Sequence, residues 1–208
     1  MEVLAFFGAF NPPTIAHINL AREAMDKCHL EKVIFVPSQD SYVRTVQKKS
    51  FSFSNKQRLD MLHAIAKNRS WMMVDDEELS CDHQPRTYDT LCSLDQRGYH
   101  AHLLMGSDKL KELQTGWKHV PEIVHQFGIV CMSRSHDDAR NLIQNDPYLS
   151  SLADGIQVVT VDTAYKDISS TKARQLFLIL QEPGSHYDEA DELTRILPEE
   201  LHGLRNYL

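Results

Sequence analysis

The sequence predicts an α/β fold with a doubly wound parallel sheet. Six short apolar runs of strand type alternate along the chain with segments in which apolar residues recur at helical spacing. One run, Lys32–Pro37, is continuously β-branched or aromatic between its ends, which is typical of parallel strands buried on both faces. Strands that alternate with helices build βαβ units and hence a doubly wound sheet. Because no internal repeat or Gly/Ser-rich linker is seen, we expect a single domain over residues 1–208 with a small helical C-terminal part.

The predicted elements follow one another in a regular order. Strands are expected at Val3–Phe7, Lys32–Pro37, Trp71–Val74, Ala101–Met105, Phe127–Met132 and Gly155–Val161. Helices are expected from Thr14, over Ser54–Asn68, over Thr87–Gln96, from Ser107 or Asp108, over residues 121–126, over Asp137–Gln144, over Ile168–Leu180 and over Pro198–Leu208. The second of these helices opens with Ser54-Asn-Lys-Gln57, which has the form of a capping box. Residues 38–53 are polar and are expected to form a loop.

Composition excludes several classes of function. The formal net charge of −7 argues against a broad nucleic-acid-binding surface, which needs a basic stripe. The four cysteines are widely separated and form no C-x-x-C pair, so neither a zinc knuckle nor a disulfide framework is indicated. No apolar run reaches the roughly 18 to 20 residues that span a bilayer, and no secretory leader is recognised. We therefore expect a cytoplasmic protein with reduced thiols that binds neither membrane nor nucleic acid.

The turn after the first predicted strand has features of a phosphate site. The strand ends at Gly8, two prolines follow, and a helix begins near Thr14. A helix start directs unpaired backbone N–H groups and a positive dipole end at one point, which suits an anion. His17 lies three residues after Thr14, so both side chains fall on the same side of the first helical turn. The alternative is an ordinary turn with an incidental histidine.

A second anion-type helix start lies late in the chain. In Ile168-Ser-Ser-Thr-Lys-Ala-Arg174, hydroxyl groups at the helix start are followed by the cations of Lys172 and Arg174. The alternative is a capped helix with a solvated arginine. A turn of the same kind, Gly106-Ser-Asp108, follows the fourth predicted strand. The basic residues of loop 38–53 could reach a substrate phosphate, and the alternative is a solvated loop.

These two helix starts resemble the signatures of the nucleotidylyltransferase superfamily. The signatures read Thr/His-x-Gly-His and Ile-Ser-Ser-Thr-x-x-Arg, and they match Thr14–His17 and Ile168–Arg174 in this chain. Within that superfamily the chain looks like the nicotinate or nicotinamide mononucleotide adenylyltransferases over nearly all of its length. This resemblance implies a Rossmann-like fold. Ala16 replaces the motif glycine, Phe7 stands in place of the first glycine of the turn, and Arg86 stands where a tyrosine is usual.

The resemblance implies a set of site residues. His17, Thr14 and Arg174 would be catalytic, with His17 as the main group that stabilises the transition state. The residues implied to bind ATP are Gly8, Ala9, Phe10, Thr14, His17, Gly106, Asp108, Ile168, Ser170, Thr171 and Arg174. Those implied for the mononucleotide are Asn11, Arg44, Lys48, Arg86, Thr87 and Trp117, the last by stacking on the pyridine ring. Mg²⁺ would enter with ATP, held mostly by the nucleotide and water, and no protein metal site is implied.

The reaction implied is adenylyl transfer from ATP to a pyridine mononucleotide in NAD biosynthesis. The partners would be these two small molecules, and whether the protein is a homo-oligomer stays open. So does the choice between nicotinate and nicotinamide. Alternatives are a related enzyme with another phosphate acceptor, such as phosphopantetheine, and a nucleotide-binding or sensing protein of the same fold that has lost catalysis. An aminoacyl-tRNA synthetase is disfavoured by the short acidic chain.

Overall fold

A computed structural model of the chain describes residues 1–45, 51–134, 139–162, 164–165, 167–184 and 186–203. Its sheet has the strand order β3-β2-β1-β4-β5-β6. The strands are β1 (Glu2–Gly8), β2 (Val33–Pro37), β3 (Met72–Val74), β4 (His100–Gly106), β5 (Ile129–Arg134) and β6 (Ile156–Val161). The pairs β1–β4, β4–β5 and β5–β6 are parallel. The predicted doubly wound, Rossmann-like sheet is thus confirmed, and its order reverses between β1 and β4, the switch point of such sheets.

Helices separate the strands along the chain. They are α1 (Ile15–Lys27), α2 (Asp40–Thr45), α3 (Asn55–Ala66), α4 (Thr87–Gln96), α5 (Val120–Gln126), α6 (Ala139–Asn145), α7 (Pro147–Ser150), α8 (Ser170–Ile179) and α9 (Tyr187–Ile196). Short 3₁₀ turns occupy Glu77–Ser80, Ser107–Glu112, Ala153–Gly155 and Glu199–Leu201. Among the described residues, no helix is both long enough and apolar enough to cross a membrane.

The chain forms two compact units, and each is assembled from three separate segments. The first comprises residues 1–7, 20–35 and 85–163, and the second comprises residues 8–19, 36–84 and 164–208. In the first unit, α4 buries Leu91 and Leu94 completely. In the second, α3 buries Met61, Leu62 and Ile65 completely. Burial of each such side chain contributes about 1.5–3 kcal/mol, so each unit has its own apolar core.

Several element boundaries differ from the prediction. The predicted loop 38–53 contains α2, which begins with Asp40, an acidic residue suited to a helix start. Residues 46–50 lie outside the described residues, and so does Lys48 with them. Strand β5 begins at Ile129 rather than Phe127, because Phe127 is the C-cap of α5 and Gly128 follows it with a φ of +75°.

Two further expectations need correction. The helix predicted after β4 is a 3₁₀ turn with Gly106 at its N-cap and no side-chain cap, so neither Ser107 nor Asp108 caps it. Within residues 198–203, the described part of the helix predicted over Pro198–Leu208, the structure has the 3₁₀ turn Glu199–Leu201 instead of an α-helix. Residues 137–138 and 204–208, which belong to two predicted helices, lie outside the described residues.

Candidate functional site

The turn after β1 is shaped around the ring of Phe10. Phe10 is buried and adopts a left-handed backbone conformation with a φ of 42°. A Cβ atom at Gly8 would lie 3.1 Å from Cζ of this ring, so glycine makes room for it. The ring in turn meets the imidazole of His17 edge-on, with the ring centres 5.3 Å apart and the planes at 73°. Gly8 therefore leaves space for the Phe10 ring, and that ring packs against one side of the His17 imidazole.

Thr14 and His17 are joined directly by hydrogen bonds. The backbone N–H of Thr14 donates to Nδ1 of His17 at 3.1 Å, and the Thr14 hydroxyl lies 2.7 Å from the same nitrogen. The N–H of His17 points back to the Thr14 hydroxyl at 3.5 Å. This is a capping box at the start of α1 with a histidine in the third helical position. Thr14 is fully buried, so its hydroxyl contacts His17 rather than the surface of the site.

Asn11 fastens the turn to the segment that precedes α3. Its side-chain oxygen accepts the N–H of Phe53 at 2.9 Å, and its side-chain nitrogen donates to the carbonyl of Phe51 at 3.1 Å. Asn11 is fully buried, and its peptide bond to Pro12 is cis. In this structure, the amide predicted to contact the mononucleotide is therefore engaged by backbone groups.

Arg58 is a buried cation that the sequence prediction missed. Its guanidinium donates to the carbonyls of Ala9 at 2.6 Å and Ser38 at 2.6 Å, to the carbonyl of Phe53 at 3.2 Å, and to Oδ1 of Asn55 at 2.7 Å. Burial lowers the pKa of Arg58 to about 10, although the negative charge of Asp40 acts to raise it. The guanidinium therefore stays charged at neutral pH. Arg58 thus joins the turn to both ends of the segment between β2 and α3.

A signal for Arg58 was present in the sequence. Positions 58, 61, 62 and 65 have the spacing of one helical face, and the other three are Met61, Leu62 and Ile65. An arginine in such a face is seldom fully buried unless its donors are bonded. The sequence could therefore have indicated a buried, hydrogen-bonded arginine, although not its partners.

The start of α8 contacts the same turn. The Ser169 hydroxyl caps the helix by accepting the N–H of Lys172 at 3.1 Å, and the Ser170 hydroxyl donates to the carbonyl of Pro12 at 2.8 Å. Arg174 donates to the carbonyl of Asn11 at 2.7 Å and to the Thr171 hydroxyl at 3.1 Å. Arg174 is buried, and burial lowers its pKa. The structure therefore brings together the two helix starts that the sequence singled out.

Aromatic packing fixes α8 against the segment before α3. The rings of Phe51 and Phe177 are stacked with centres 5.8 Å apart, and Phe53 meets both rings edge-on at 5.0 and 5.4 Å. Phe53 and Phe177 are buried. Such pairs add about 0.5–1.5 kcal/mol each beyond area burial. All three segments of this unit therefore meet at the turn of residues 8–14.

Two predicted ATP residues, Gly106 and Asp108, belong to the first unit, whereas Ile168 precedes α8 in the second. Asp108 is exposed in the 3₁₀ turn after β4. A Cβ atom at Gly106 would lie only 2.5 Å from Oδ1 of Asp108. The carboxylate therefore folds back over Gly106, and a larger residue there would displace it.

The predicted mononucleotide residues are spread over both units. In the first unit, Arg86 precedes the first helical residue of α4, Thr87, and its guanidinium lies 3.4 Å from Nε2 of His119. Trp117 is half-buried in the same unit. In the second unit, Arg44 is exposed on α2 and pairs with Asp40 at 2.9 Å. Within the described ranges, no three His, Cys, Asp or Glu side chains are grouped as metal ligands.

Comparison with known proteins identifies the family. The chain matches the family model described as Cytidylyltransferase-like over residues 5–176. It is 30% identical over 172 residues to a probable nicotinate-nucleotide adenylyltransferase of Carboxydothermus hydrogenoformans, covering 82% of this chain and 83% of that protein. The chain belongs to the nicotinate/nicotinamide mononucleotide adenylyltransferases. These proteins are nucleotidyltransferases of the cytidylyltransferase-like family.

A plant relative has a name of the same family, and a solved structure shows the same fold. A nicotinamide/nicotinic acid mononucleotide adenylyltransferase of Arabidopsis thaliana is 29% identical over 187 residues, covering 83% of this chain and 78% of that protein. The nicotinic acid mononucleotide adenylyltransferase of Plasmodium falciparum, solved in complex with APC, has a TM-score of 0.71 at 16% identity. That likeness covers 99% of this chain and 96% of the other, and it shows the fold.

The geometry of the turn suits a polyphosphate. The starts of α1 and α8 both present backbone N–H groups and positive dipole ends, and they are joined through residues 11, 12 and 14. A chain with a net charge of −7 thereby concentrates positive partial charge in one local site. Phosphate groups are the ligands that such a site stabilises.

Proposed function

We propose that this protein transfers the adenylyl group of ATP to nicotinate or nicotinamide mononucleotide, a step of NAD biosynthesis. A phosphate oxygen of the mononucleotide attacks the α-phosphorus of ATP, and the bond from that phosphorus to the bridging oxygen breaks. Pyrophosphate leaves with the electron pair, and deamido-NAD or NAD is formed. The step requires no proton transfer, so the protein has to position two polyanions and stabilise charge on phosphate oxygens.

The contact between the starts of α1 and α8 carries this proposal. Ser170 and Arg174 of α8 donate to the turn that leads into α1, so His17 and the N-terminus of α8 belong to one local structure. Two helix starts and an imidazole in one place supply donors for several phosphate oxygens of one nucleotide. The family membership of the chain supports ATP as that nucleotide.

The roles of the residues follow from their exposure and partners. His17 is half-buried, and we assign to it the stabilisation of the negative charge that develops on the reacting phosphate. The backbone at Ser170 and Thr171 would bind the β- and γ-phosphates. Arg174 is buried and bonded to Asn11 and Thr171, which supports a role in holding the two helix starts together. Mg²⁺ would enter as part of the substrate MgATP, coordinated by phosphate oxygens and water.

The mononucleotide and ribose contacts are carried over from the family resemblance. Trp117 offers a flat face for the pyridine ring, and its partial exposure allows stacking. Asp108 is exposed and would accept hydrogen bonds from ribose hydroxyls. Arg44 and Arg86 are exposed cations for the mononucleotide phosphate or carboxylate. A cytoplasmic location remains a prediction, and the oligomeric state stays open.

A pyrophosphate-release assay tests the proposed function. Purified protein is incubated with ATP and Mg²⁺ together with nicotinate mononucleotide, nicotinamide mononucleotide or phosphopantetheine in separate reactions. We expect release that requires both ATP and a pyridine mononucleotide, and the ratio of the two pyridine rates gives the preferred substrate. His17→Ala should lower kcat by roughly 10² to 10³, the scale of removing one preorganised donor.

Each other outcome of this assay identifies an alternative. Pyrophosphate release with phosphopantetheine, but with neither pyridine mononucleotide, would show that the protein uses a different phosphate acceptor. Binding of ATP without release in any reaction would favour the nucleotide-sensing protein. Near-normal turnover by His17→Ala would contradict the role assigned to His17.

A further inference from the structure

The imidazole of His17 has a nitrogen whose protonation state is set by its neighbours. Nδ1 lies 3.1 Å from the backbone nitrogen of Thr14 and 2.7 Å from the Thr14 hydroxyl. A backbone N–H can only donate, so Nδ1 must be an acceptor with a lone pair. Nδ1 therefore carries no proton while this bond is made. A neutral imidazole in that state has its proton on Nε2.

The hydroxyl of Thr14 fits the same assignment. If Nδ1 carries no proton, the hydroxyl can only donate to it across the 2.7 Å contact, and its lone pairs then face the N–H of His17 at 3.5 Å. Thr14 is fully buried, so bulk water does not compete for this hydroxyl. The two groups share the single lone pair of Nδ1, an arrangement that matches the tautomer with the proton on Nε2 and that orients the ring. Phe10 restricts ring rotation further, since its ring packs edge-on against the imidazole.

We propose that Thr14 is a positioning residue that holds His17 neutral with its proton on Nε2, so that His17 meets the reacting phosphate as a hydrogen-bond donor rather than as a cation. The proposal rests on the proposed function for the identity of the phosphate, whereas the tautomer stands on the geometry alone. A neutral donor suits adenylyl transfer, because that step moves no proton and needs only an N–H directed at an oxygen whose charge grows. The capping box of α1 thus also prepares the imidazole for its ligand.

The ring nitrogens of His17 can be observed directly by ¹⁵N NMR. Protein labelled with ¹⁵N-histidine is studied at pH 7.5, and the His17 signals are assigned as those lost in His17→Gln. We expect Nδ1 to resonate as a ring nitrogen without a proton and Nε2 as one with a proton. The exposed His63 of α3 serves as an internal reference for a mixture of tautomers. A proton on Nδ1 of His17, or on both nitrogens, would overturn the proposal.

Substitutions at position 14 test the hydroxyl. Thr14→Ser keeps it, and we expect kcat within about twofold of wild type. Thr14→Val keeps the shape and the backbone N–H but removes the hydroxyl, so kcat should fall by about tenfold with both KM values nearly unchanged, the scale of one lost hydrogen bond. The NMR signals of Thr14→Val should shift toward a tautomer mixture. An unchanged kcat and unchanged ring signals in Thr14→Val would contradict the positioning role.

Two neutral replacements of His17 separate a donor from a cation. The amide nitrogen of Gln can reach the position of Nε2, whereas that of Asn reaches only the position of Nδ1. We expect His17→Gln to turn over at least tenfold faster than His17→Asn. Equal loss in both variants would overturn the donor role. If the wild type released no pyrophosphate with any acceptor, the proposed function would fail, while the NMR spectrum would still decide the tautomer.

Discussion

Arg58 shows how one buried side chain can control the shape of a site that it does not line. Its guanidinium binds three backbone carbonyls and one amide oxygen, and no carboxylate is among these four partners. A buried charge is tolerated only when its donors are used in this way. The planar fork of arginine allows this, and a lysine ammonium does not have the same reach.

Arg58→Lys should therefore lower both stability and activity. We expect the free energy of unfolding to fall by about 2–4 kcal/mol, since carbonyls of Ala9, Ser38 and Phe53 lose their donor. Chemical denaturation measures this change. The matched control is Lys56→Met, which removes an exposed cation from the same helix and should change stability by less than about 0.5 kcal/mol. If Arg58→Lys changed stability as little as Lys56→Met, a positive charge at position 58 would be sufficient and the hydrogen-bonding fork of arginine would not be needed.

Gly106 is required by the carboxylate that folds over it. In Gly106→Ala the new Cβ would lie 2.5 Å from Oδ1 of Asp108, so the carboxylate must move. We expect the KM for ATP to rise about tenfold, the scale of one lost hydrogen bond to a charged group, with little change in melting temperature. Steady-state kinetics measures this. In an Asp108→Ala background the same substitution should have no further effect, and a persisting effect would show that Gly106 acts independently of Asp108.

At the scale of elements, α8 acts as a support for the turn that begins α1. Ser170 and Arg174 reach this turn from the first two turns of α8, while Phe177 packs on Phe51 and Phe53. The helix is therefore held at both its polar start and its apolar face. Small displacements of α8 should move the turn with it.

Arg174→Lys distinguishes support from direct phosphate contact. If Arg174 acts by joining α8 to the turn, the substitution should lower kcat about tenfold and lower the free energy of unfolding by about 1–3 kcal/mol. If instead it binds phosphate directly, the KM for ATP should rise while stability is kept. Kinetics and denaturation on the same preparation separate the two cases. Gln175→Ala, an exposed change on the same helix, is the control and should alter neither quantity.

The last described 3₁₀ turn is held to α3 by an ion pair. Glu200 pairs with Arg69, which follows α3 and also donates to the carbonyl of Ile65 at 2.6 Å. Burial alone would raise the pKa of Glu200, but the hydrogen bond from Arg69, a backbone hydrogen bond and the nearby charge of Arg69 together outweigh burial, so the pKa lies below its ordinary value of 4.5. A depressed carboxyl pKa stabilises the fold above pH 4.5, and this stabilisation is lost as the pH falls through the folded-state pKa.

Glu200→Gln should consequently destabilise the protein mainly at neutral pH. We expect a loss of about 1–2 kcal/mol at pH 7, and the difference from wild type should shrink as the pH falls below 4.5. Thermal melts at a series of pH values measure it. The exposed neighbour Glu199 provides the control, since Glu199→Gln should follow the wild-type profile. A loss for Glu200→Gln that stays constant down to pH 3 would contradict the assignment to the carboxylate charge.

On the scale of the whole molecule, the chain passes repeatedly between its two compact units. Each unit is built from three segments, so neither corresponds to a continuous half of the sequence. A linker rich in Gly, Ser or Pro marks a boundary only when a domain is continuous, and none is present here. Reading the sequence could therefore not have found this division, and the single domain over residues 1–208 remains a prediction.

The sequence by itself determined the fold class, the strands and the two anion-type helix starts. These features are local, because strand and helix periodicity, turn residues and capping residues are set by neighbours a few positions apart. The family resemblance at Thr14–His17 and Ile168–Arg174 depended on the same kind of short motif. Boundaries such as Ile129 and the extra helix α2 were missed where tertiary contacts override local preference.

Only the tertiary structure decided what each buried polar group binds. Arg58 and Ala9 are 49 residues apart in the chain, and Arg174 and Asn11 are 163 apart, yet each pair is hydrogen-bonded. Such pairings satisfy buried donors and acceptors, and they depend on the packing of whole segments rather than on local sequence. The same packing buries Thr14 completely. It also places the Thr14 hydroxyl 2.7 Å from Nδ1 of His17, a contact that the spacing of the two residues allowed but did not determine.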